Sequence, residues 1–452
     1  MPQPLPDPAA QYAVDVAACR KLLSCGSRTF FAASFLLPTA IRGSASVLYA
    51  FCRLADDAVD VEDNGAVGLL NMRERLDLAY SGTPLQLPAD RAFAHVVAKF
   101  AMPRELPEAL LEGFEWDVLG RSYDNFEEVQ AYAARVAGSV GAMMAVLMGV
   151  RDPDVVARAC DLGCAMQLSN IARDVGEDAR MGRLYLPRQW LAEAGLDPDR
   201  WLQKPDHCHE IATVIQRLLR EADTIYARVD AGIERLPAMC RPGIRAARLL
   251  YAEIGHQVGR HAFDSVSRRA VVSGWRKTPL LARALVAPAT DESTLALPPL
   301  ESVRFLVDAL VRSPQPLSVV TENDVPAFAR QNIGERFGWV IVLFAQIEQR
   351  NKSEMVSARS RLHQPTAARP VVPEELPWWN IGERILWVFE LGSHLERQNK
   401  YTLASSEPTP LPVRPTLPEV PWWNFRARIR WVIALFVQLD RTEQFPGAQT
   451  RH

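Results

Sequence analysis

The sequence predicts an all-α protein: a large helical body with a buried centre, then a tail of amphipathic helical repeats. Three observations lead there. Apolar residues recur three and four positions apart in run after run, strand-type alternation is hard to find, and prolines and glycines fall mainly between the runs, as at Pro38, Pro103, Pro187 and Pro242. The helical pattern holds from about Gln11 to Leu285, in "ASVLYAFCRLADDAVDV", "FEEVQAYAARVAGSVGAMMAVLMGV", "DVVARACDLGCAMQLSNIARDV", "EIATVIQRLLREADTIYARVDAGI" and "AARLLYAEIGHQVGRHA". It is read as a single all-α domain spanning residues 1–285.

The 452 residues leave room for something smaller beyond that body. Hydrophobic residues at 48% and charged residues at 23% are the composition of a globular chain, and a formal net charge of −2 favours neither nucleic acid nor an anionic membrane as a global partner. Seven cysteines form no paired metal spacing, and several lie in apolar helical runs, which suggests reduced thiols in a cytoplasmic protein. "HCH" at His207–His209 stands beside "KPD" and reads as a solvated loop rather than a metal site. The N-terminal "MPQPLPDPAA" has neither the basic start nor the apolar core of a secretory signal, and no stretch reaches the roughly 18 uncharged apolar residues of a membrane span.

Beyond the body, "VAPATDESTLALPPLES" reads as a linker, and residues 286–325 as linker with a short helix. Residues 326–452 then hold three copies of one unit, "NIGERFGWVIVLFAQIEQRNK", "PWWNIGERILWVFELGSHLERQNK" and "PWWNFRARIRWVIALFVQLDRTEQ". Aligning Asn332, Asn380 and Asn424 gives steps of 48 and 44 residues and brings Arg336, Arg384 and Arg428 into register, with Trp339, Trp387 and Trp431. Proline-rich polar spacers join the copies, and seven of the eleven tryptophans lie here. Such helices suit three roles: packing on one another or on the body, lying at a membrane surface where tryptophan and arginine anchor, or docking another enzyme. A peripheral place at the inner face of a membrane therefore stays open beside the cytoplasmic one.

The chemistry is carried by two acidic clusters. "LYAFCRLADDAVDVED" places Asp56, Asp57 and Asp60 on an otherwise apolar helix, and Asp56 and Asp60, one turn apart, share a face. "QLSNIARDVGEDARMGRLYLP" sets Asn170, Asp174 and Asp178 at successive four-residue steps, again on one face. Two acidic faces on separate helices are what a magnesium–diphosphate site requires. Phosphate and carboxylate repel, so divalent cations must bridge them, and magnesium takes one or two carboxylates, keeps water and completes its shell with phosphate oxygens. Arg53 accompanies the first cluster, and Arg173, Arg183 and Tyr185 the second; arginine gives bidentate contacts to phosphate. "SRTFF" and "YAARVAGSVG" add hydroxyls and glycines that let helices approach. Each feature also has a purely structural explanation, with Arg53 neutralising Asp57 and the glycines serving packing alone. The combination favours the metal.

Over roughly Gln11 to Leu285 the chain resembles the squalene/phytoene synthase family, and within it the bacterial phytoene synthase branch. "YAFCRLADDAVD" looks like the first aspartate-rich motif, "EGFEWDVLGRSY" and "YAARVAGSVG" like the middle motifs, "QLSNIARDVGEDARMGRLYLP" like the second aspartate-rich signature, and "DSVSRRAVVSGWRK" like the end of the domain. "DDAVD" alone also fits chain-elongating prenyltransferases and terpene cyclases; the second motif with its trailing "GRLYLP" separates them. The resemblance implies an isoprenoid-synthase-type bundle around a central cavity and head-to-head condensation of two allylic diphosphates. It implies that Asp56, Asp60, Asn170, Asp174 and Asp178 hold magnesium, with manganese as an alternative. Diphosphate would be met by Ser27, Thr29, Arg53, Arg173, Arg183 and Tyr185, and more weakly by Arg269. Tyr49, Tyr132 and Tyr251 would line the reaction zone. Geranylgeranyl diphosphate, giving phytoene, is the expected substrate. Farnesyl diphosphate, giving presqualene diphosphate, dehydrosqualene or squalene, is the alternative, and a non-catalytic prenyl-diphosphate-binding scaffold is the alternative of a different class. No glycine-rich dinucleotide fingerprint occurs, so NADPH is not expected.

Overall fold

The computed structural model describes residues 7–26, 28–60, 65–287 and 290–313. Among these residues every regular element is helical. The chain runs through α1 (Pro8–Gly26), α2 (Arg28–Ser34), α3 (Thr39–Asp60), α4 (Gly65–Tyr80), α5 (Pro88–Phe100) and α6 (Glu105–Val118). Helix α7 (Phe126–Ala133) passes through a π-helical turn, Ala134–Gly138, into α8 (Ser139–Leu147). Then come α9 (Pro153–Arg180), α10 (Arg188–Glu193), α11 (Pro198–Gln203), α12 (His209–Ala227), α13 (Asp230–Glu234), α14 (Arg241–Arg260), α15 (Gly274–Ala284) and α16 (Arg304–Arg312).

The 28-residue α9 is the axis on which the body is assembled. Its start is written locally: the Asp152 side chain accepts from the backbone N–H of Asp154 (2.9 Å) and Val155 (3.3 Å), and Pro153 costs no hydrogen bond in the first turn. Its interior is built from small residues, among them Ala157, Cys160, Gly163, Cys164 and Ala172, so neighbours approach closely. The π turn, α8, α12 and α14 all pack against it. At the crossing with the π turn and α8 the backbones nearly touch. A Cβ added at Gly163 would stand 2.1 Å from the carbonyl oxygen of Ala137, and one at Gly141 would stand 2.1 Å from that of Ala159. Only glycine allows that approach. It sets one wall of a cavity between α2, α3, α8, α9, α13 and α14.

The stretch from residue 286, read as linker with a short helix, holds such a helix in α16. Helix α16 buries Leu306, Val307, Ala309 and Leu310 against α6, α8 and α9, so the body continues through this helix. The physical reason is burial of an apolar face, which outweighs the proline-rich approach to it. The three repeats lie outside the described residues. Among the described residues no helix is long and apolar enough to cross a membrane.

Candidate active site

The cavity, of about 330 Å³, is lined by a strip of residues from each surrounding helix. Helix α3 contributes Leu48, Tyr49 and Cys52; α9 contributes Leu162, Met166, Gln167 and Asn170; α14 contributes Ile244, Ala247 and Tyr251. Continuing each strip leads after one helical turn to Asp56 on α3 and Asp174 on α9, and after a second to Asp178, so both acidic clusters stand at the same end of the cavity. Tyr49 and Tyr251 meet there around Phe30, whose ring centroid lies 6.4 Å from that of Tyr49 and 5.4 Å from that of Tyr251. Burial pushes both phenols up.

On α3, Arg53 is shared. Its Nη1 is 3.1 Å from an Asp56 oxygen and its Nη2 is 2.6 Å from an Asp57 oxygen. Asp60 falls on the same helix, one turn after Asp56; its side chain, with that of Thr29 and with Ser27, lies outside the described residues.

The second cluster is more buried and more differentiated. Asp174 accepts from Arg173 Nε at 2.8 Å and from Arg269 Nε at 2.7 Å and Nη2 at 3.2 Å. Burial alone would raise its pKa, but the hydrogen bonds and charges of Arg173 and Arg269 outweigh burial and hold the carboxyl below its ordinary range. Asp178 behaves oppositely. Burial, with the like charges of Asp174, Glu177 and Asp117, pushes it up to about 7 against the opposing pull of Arg183. Asn170 completes the row: its Oδ1 is buried and has no hydrogen-bond partner, while its Nδ2 lies 3.4 Å from Gln167. A buried acceptor left unpaired beside two aspartates fits a hard cation, which supplies what no protein donor does there. Among the described residues no three His, Cys, Asp or Glu side chains converge into a closed metal cage.

Asp178 has a consequence for stability. Its folded pKa of about 7 exceeds the ordinary aspartate value, so the folded chain keeps a proton that the unfolded chain has lost. Stability from this group is full in acid, is lost as pH rises through 7, and is absent above it. Asp178→Asn is therefore expected to be more stable than the parent at pH 8 in metal-free buffer, by roughly 2 kcal/mol, and to melt higher. The difference should vanish near pH 4. Equal melting temperatures at both pH values would contradict the assignment.

Arg269 reaches Asp174 because the loop that carries it is seated on α9. Gly176 donates its N–H to Ser265 O at 3.0 Å, and Arg180 Nη1 donates to Val266 O at 3.2 Å. A Cβ at Gly176 would come within 2.3 Å of Val266 O. The loop turns through left-handed Ala262 (φ 54°) and Phe263 (φ 57°), and Asp264 caps it, accepting from Ser267 N at 2.9 Å. His207, from the "HCH" stretch, stands 3.5 Å from Asp264 and buttresses the same loop.

Tyr132 and Tyr185 are brought together, though away from the cavity wall. Both donate to one carboxylate, that of Asp117 on α6, with Tyr132 Oη at 2.9 Å and Tyr185 Oη at 2.7 Å. Their rings stack at 5.0 Å, with Tyr123 at 5.4 Å from Tyr132. Burial first and then the Asp117 charge push both phenols up. Asp117 was not among the residues expected from sequence, although "EGFEWDVLGRSY" contains it; nor was Gly176, which "RDVGED" contains.

The squalene/phytoene synthase family model matches residues 23–276. The chain belongs to this family. It is 50% identical over 346 residues to a phytoene synthase of Cereibacter sphaeroides, covering 71% of this chain and 98% of that protein. It is 52% identical over 288 residues to the phytoene synthase of Rhodobacter capsulatus, covering 63% and 85%. Among solved structures, a dehydrosqualene synthase in complex with ligand superposes with a TM-score of 0.57 at 31% identity, over 62% of this chain and 98% of the other. A squalene synthase of Alicyclobacillus acidocaldarius shares the fold, with a TM-score of 0.53 at 24% identity over 56% and 96%. The activity that goes with this membership and these relatives is prenyl transfer of the phytoene synthase type, in carotenoid biosynthesis, on a prenyl diphosphate.

Proposed function

We propose that the chain joins two molecules of geranylgeranyl diphosphate head to head, through a cyclopropylcarbinyl diphosphate, to phytoene. The observation that carries the C20 length is the depth of the cavity along α9. Val155 and Asn170 both line it, fifteen residues apart, which is about 22 Å at the rise of an α-helix and leaves room for a C20 chain. An extended prenyl chain gains about 1.2 Å per bond, the rise of any extended chain, so the sixteen-carbon backbone of a C20 group spans about 18 Å and the twelve-carbon backbone of a C15 group about 13 Å.

Magnesium, or manganese in its place, held by oxygens of Asp56, Asp60, Asn170, Asp174 and Asp178, would supply the positive charge that stabilises the departing diphosphate. The chain's own residues do the rest. Arg53, Arg173, Arg183 and Arg269 offer planar donors to diphosphate oxygens, with Ser27 and Thr29 as hydroxyl partners, while the Tyr185 hydroxyl is committed to Asp117. The apolar wall excludes water while an allylic cation exists, and the second substrate's double bond attacks that cation. Tyr49 and Tyr251, with phenols pushed up, stay protonated at neutral pH and present their rings. Two carbon–oxygen bonds break, two diphosphates leave, and two protons pass to departing diphosphate, one in each half. Proton loss ends the second half as a conjugated triene without a hydride donor.

The test is incubation of purified protein with magnesium and either geranylgeranyl or farnesyl diphosphate, with the extract identified by mass. A C40 triene from the longer substrate is expected. A C30 product alone would overturn the chain length, and no product from either would favour a scaffold.

A further inference from the structure

The far end of the cavity is lined on α9 by Val155 and, one turn nearer the acidic clusters, by an arginine. Arg158, on α9, is only 1% exposed and is among the largest fully buried side chains of the body, yet it lines a mostly apolar space. Its stem lies flat on α13: a Cβ added at Gly232 would meet Arg158 Cβ at 2.4 Å and Cγ at 2.7 Å. Its guanidinium turns outward. Nη1 donates to the carbonyl oxygens of Thr294 (2.7 Å) and Leu297 (3.1 Å), and Nη2 lies 3.0 Å from Asp161, which is fully buried. Arg228 braces the same carboxylate at 2.9 Å and donates to Pro298 O at 2.6 Å. Two arginines and one aspartate thus clamp the segment before α16 onto α9 and α12.

This arrangement is costly as packing alone, because a charge placed in a core loses its water. A leucine would fill an apolar floor more cheaply. What the clamp adds is immobility: a long side chain that would otherwise rotate is pinned at its tip, so its stem presents a fixed surface to the cavity. We propose that Arg158 is a specificity-determining residue, its pinned stem forming, with Val155 beyond it, the floor that sets the longest prenyl chain the cavity admits. The proposal rests on the C20 reading above only for where the limit falls, not for the existence of a limit.

Two variants move the floor in opposite directions. Arg158→Ala removes the stem and leaves Asp161 paired with Arg228; Gly232→Ala adds a methyl group against the stem at a position that itself lines the cavity. Helical circular dichroism and thermal melting establish which variant folds, and kcat/KM is then compared for C15, C20 and C25 prenyl diphosphates. Arg158→Ala should raise the C25-to-C20 ratio at least tenfold, and Gly232→Ala should lower the C20-to-C15 ratio at least tenfold. A folded variant of either kind whose ratio stays within twofold of the parent's would overturn the proposal. If the parent itself uses only C15, the C20 reading falls; the role of Arg158 then stands or falls on whether each variant shifts the parent's own limit.

Discussion

Asp174→Asn is expected to lower turnover about a thousandfold or more, a barrier increase of ~4 kcal/mol, with the helical signal unchanged and the melting temperature lowered, since the ionised carboxylate that Arg173 and Arg269 stabilise is lost. Asp174 occupies the middle of the Asn170–Asp174–Asp178 row, and in the second cluster it is the aspartate kept ionised at neutral pH, because Arg173 and Arg269 hold its pKa down while Asp178 is pushed up to about 7. An amide of the same shape cannot bring negative charge to a cation, and it leaves Arg173 and Arg269 facing a neutral partner. The fold should survive, since the loop bearing Arg269 stays seated through Gly176 N to Ser265 O and Arg180 to Val266 O. Measuring turnover across a magnesium titration separates the two consequences. Partial rescue at high magnesium marks weakened metal binding, whereas full activity at ordinary magnesium would remove Asp174 from the site.

What the sequence discloses and what it withholds follow from how local each signal is. The four-residue steps Asn170, Asp174, Asp178 and Asp56, Asp60 are properties of one helix, and a helix's own period places them on one face. Tyr49 and Tyr251 line the cavity for the same reason, as members of apolar strips that face inward. Asp117 is different. Its role exists only because α6 packs beside the π turn that follows Tyr132 and beside the loop that carries Tyr185; nothing in "FEWDV" distinguishes it from Glu115, which pairs with Arg73 at 2.8 Å. Arg158 and Asp161 read in sequence as an ordinary i,i+3 pair, and only tertiary burial turns them into a clamp. The short helix expected after residue 286 is legible, but its packing onto the body is not, because the apolar face of α16 is short and its partners on α6, α8 and α9 are distant in sequence.

Gly163→Ala is expected to cost about 3 kcal/mol or more, a fall in melting temperature of roughly 6 °C, although it adds one methyl group. The methyl would stand 2.1 Å from Ala137 O, 2.6 Å from Ala137 C and 2.9 Å from Gly138 N, all backbone atoms, so no side-chain rotation relieves the clash. Relief requires the π turn to move away from α9, and that movement reshapes the cavity, because Ala137, Val140, Gly141 and Gly163 all line it. Activity should therefore fall even at temperatures where the variant is fully folded. Gly82→Ala provides the contrast: Gly82 has φ +77° and open space around its Cβ position, so it should lose only about 1 kcal/mol of backbone strain and keep full activity. Differential scanning calorimetry with a product assay at 15 °C and 30 °C reads both quantities. A Gly163→Ala protein that melts within a degree of its parent would mean that the two helices do not meet backbone to backbone. The close approach that places the π turn against the second acidic helix would then need another cause.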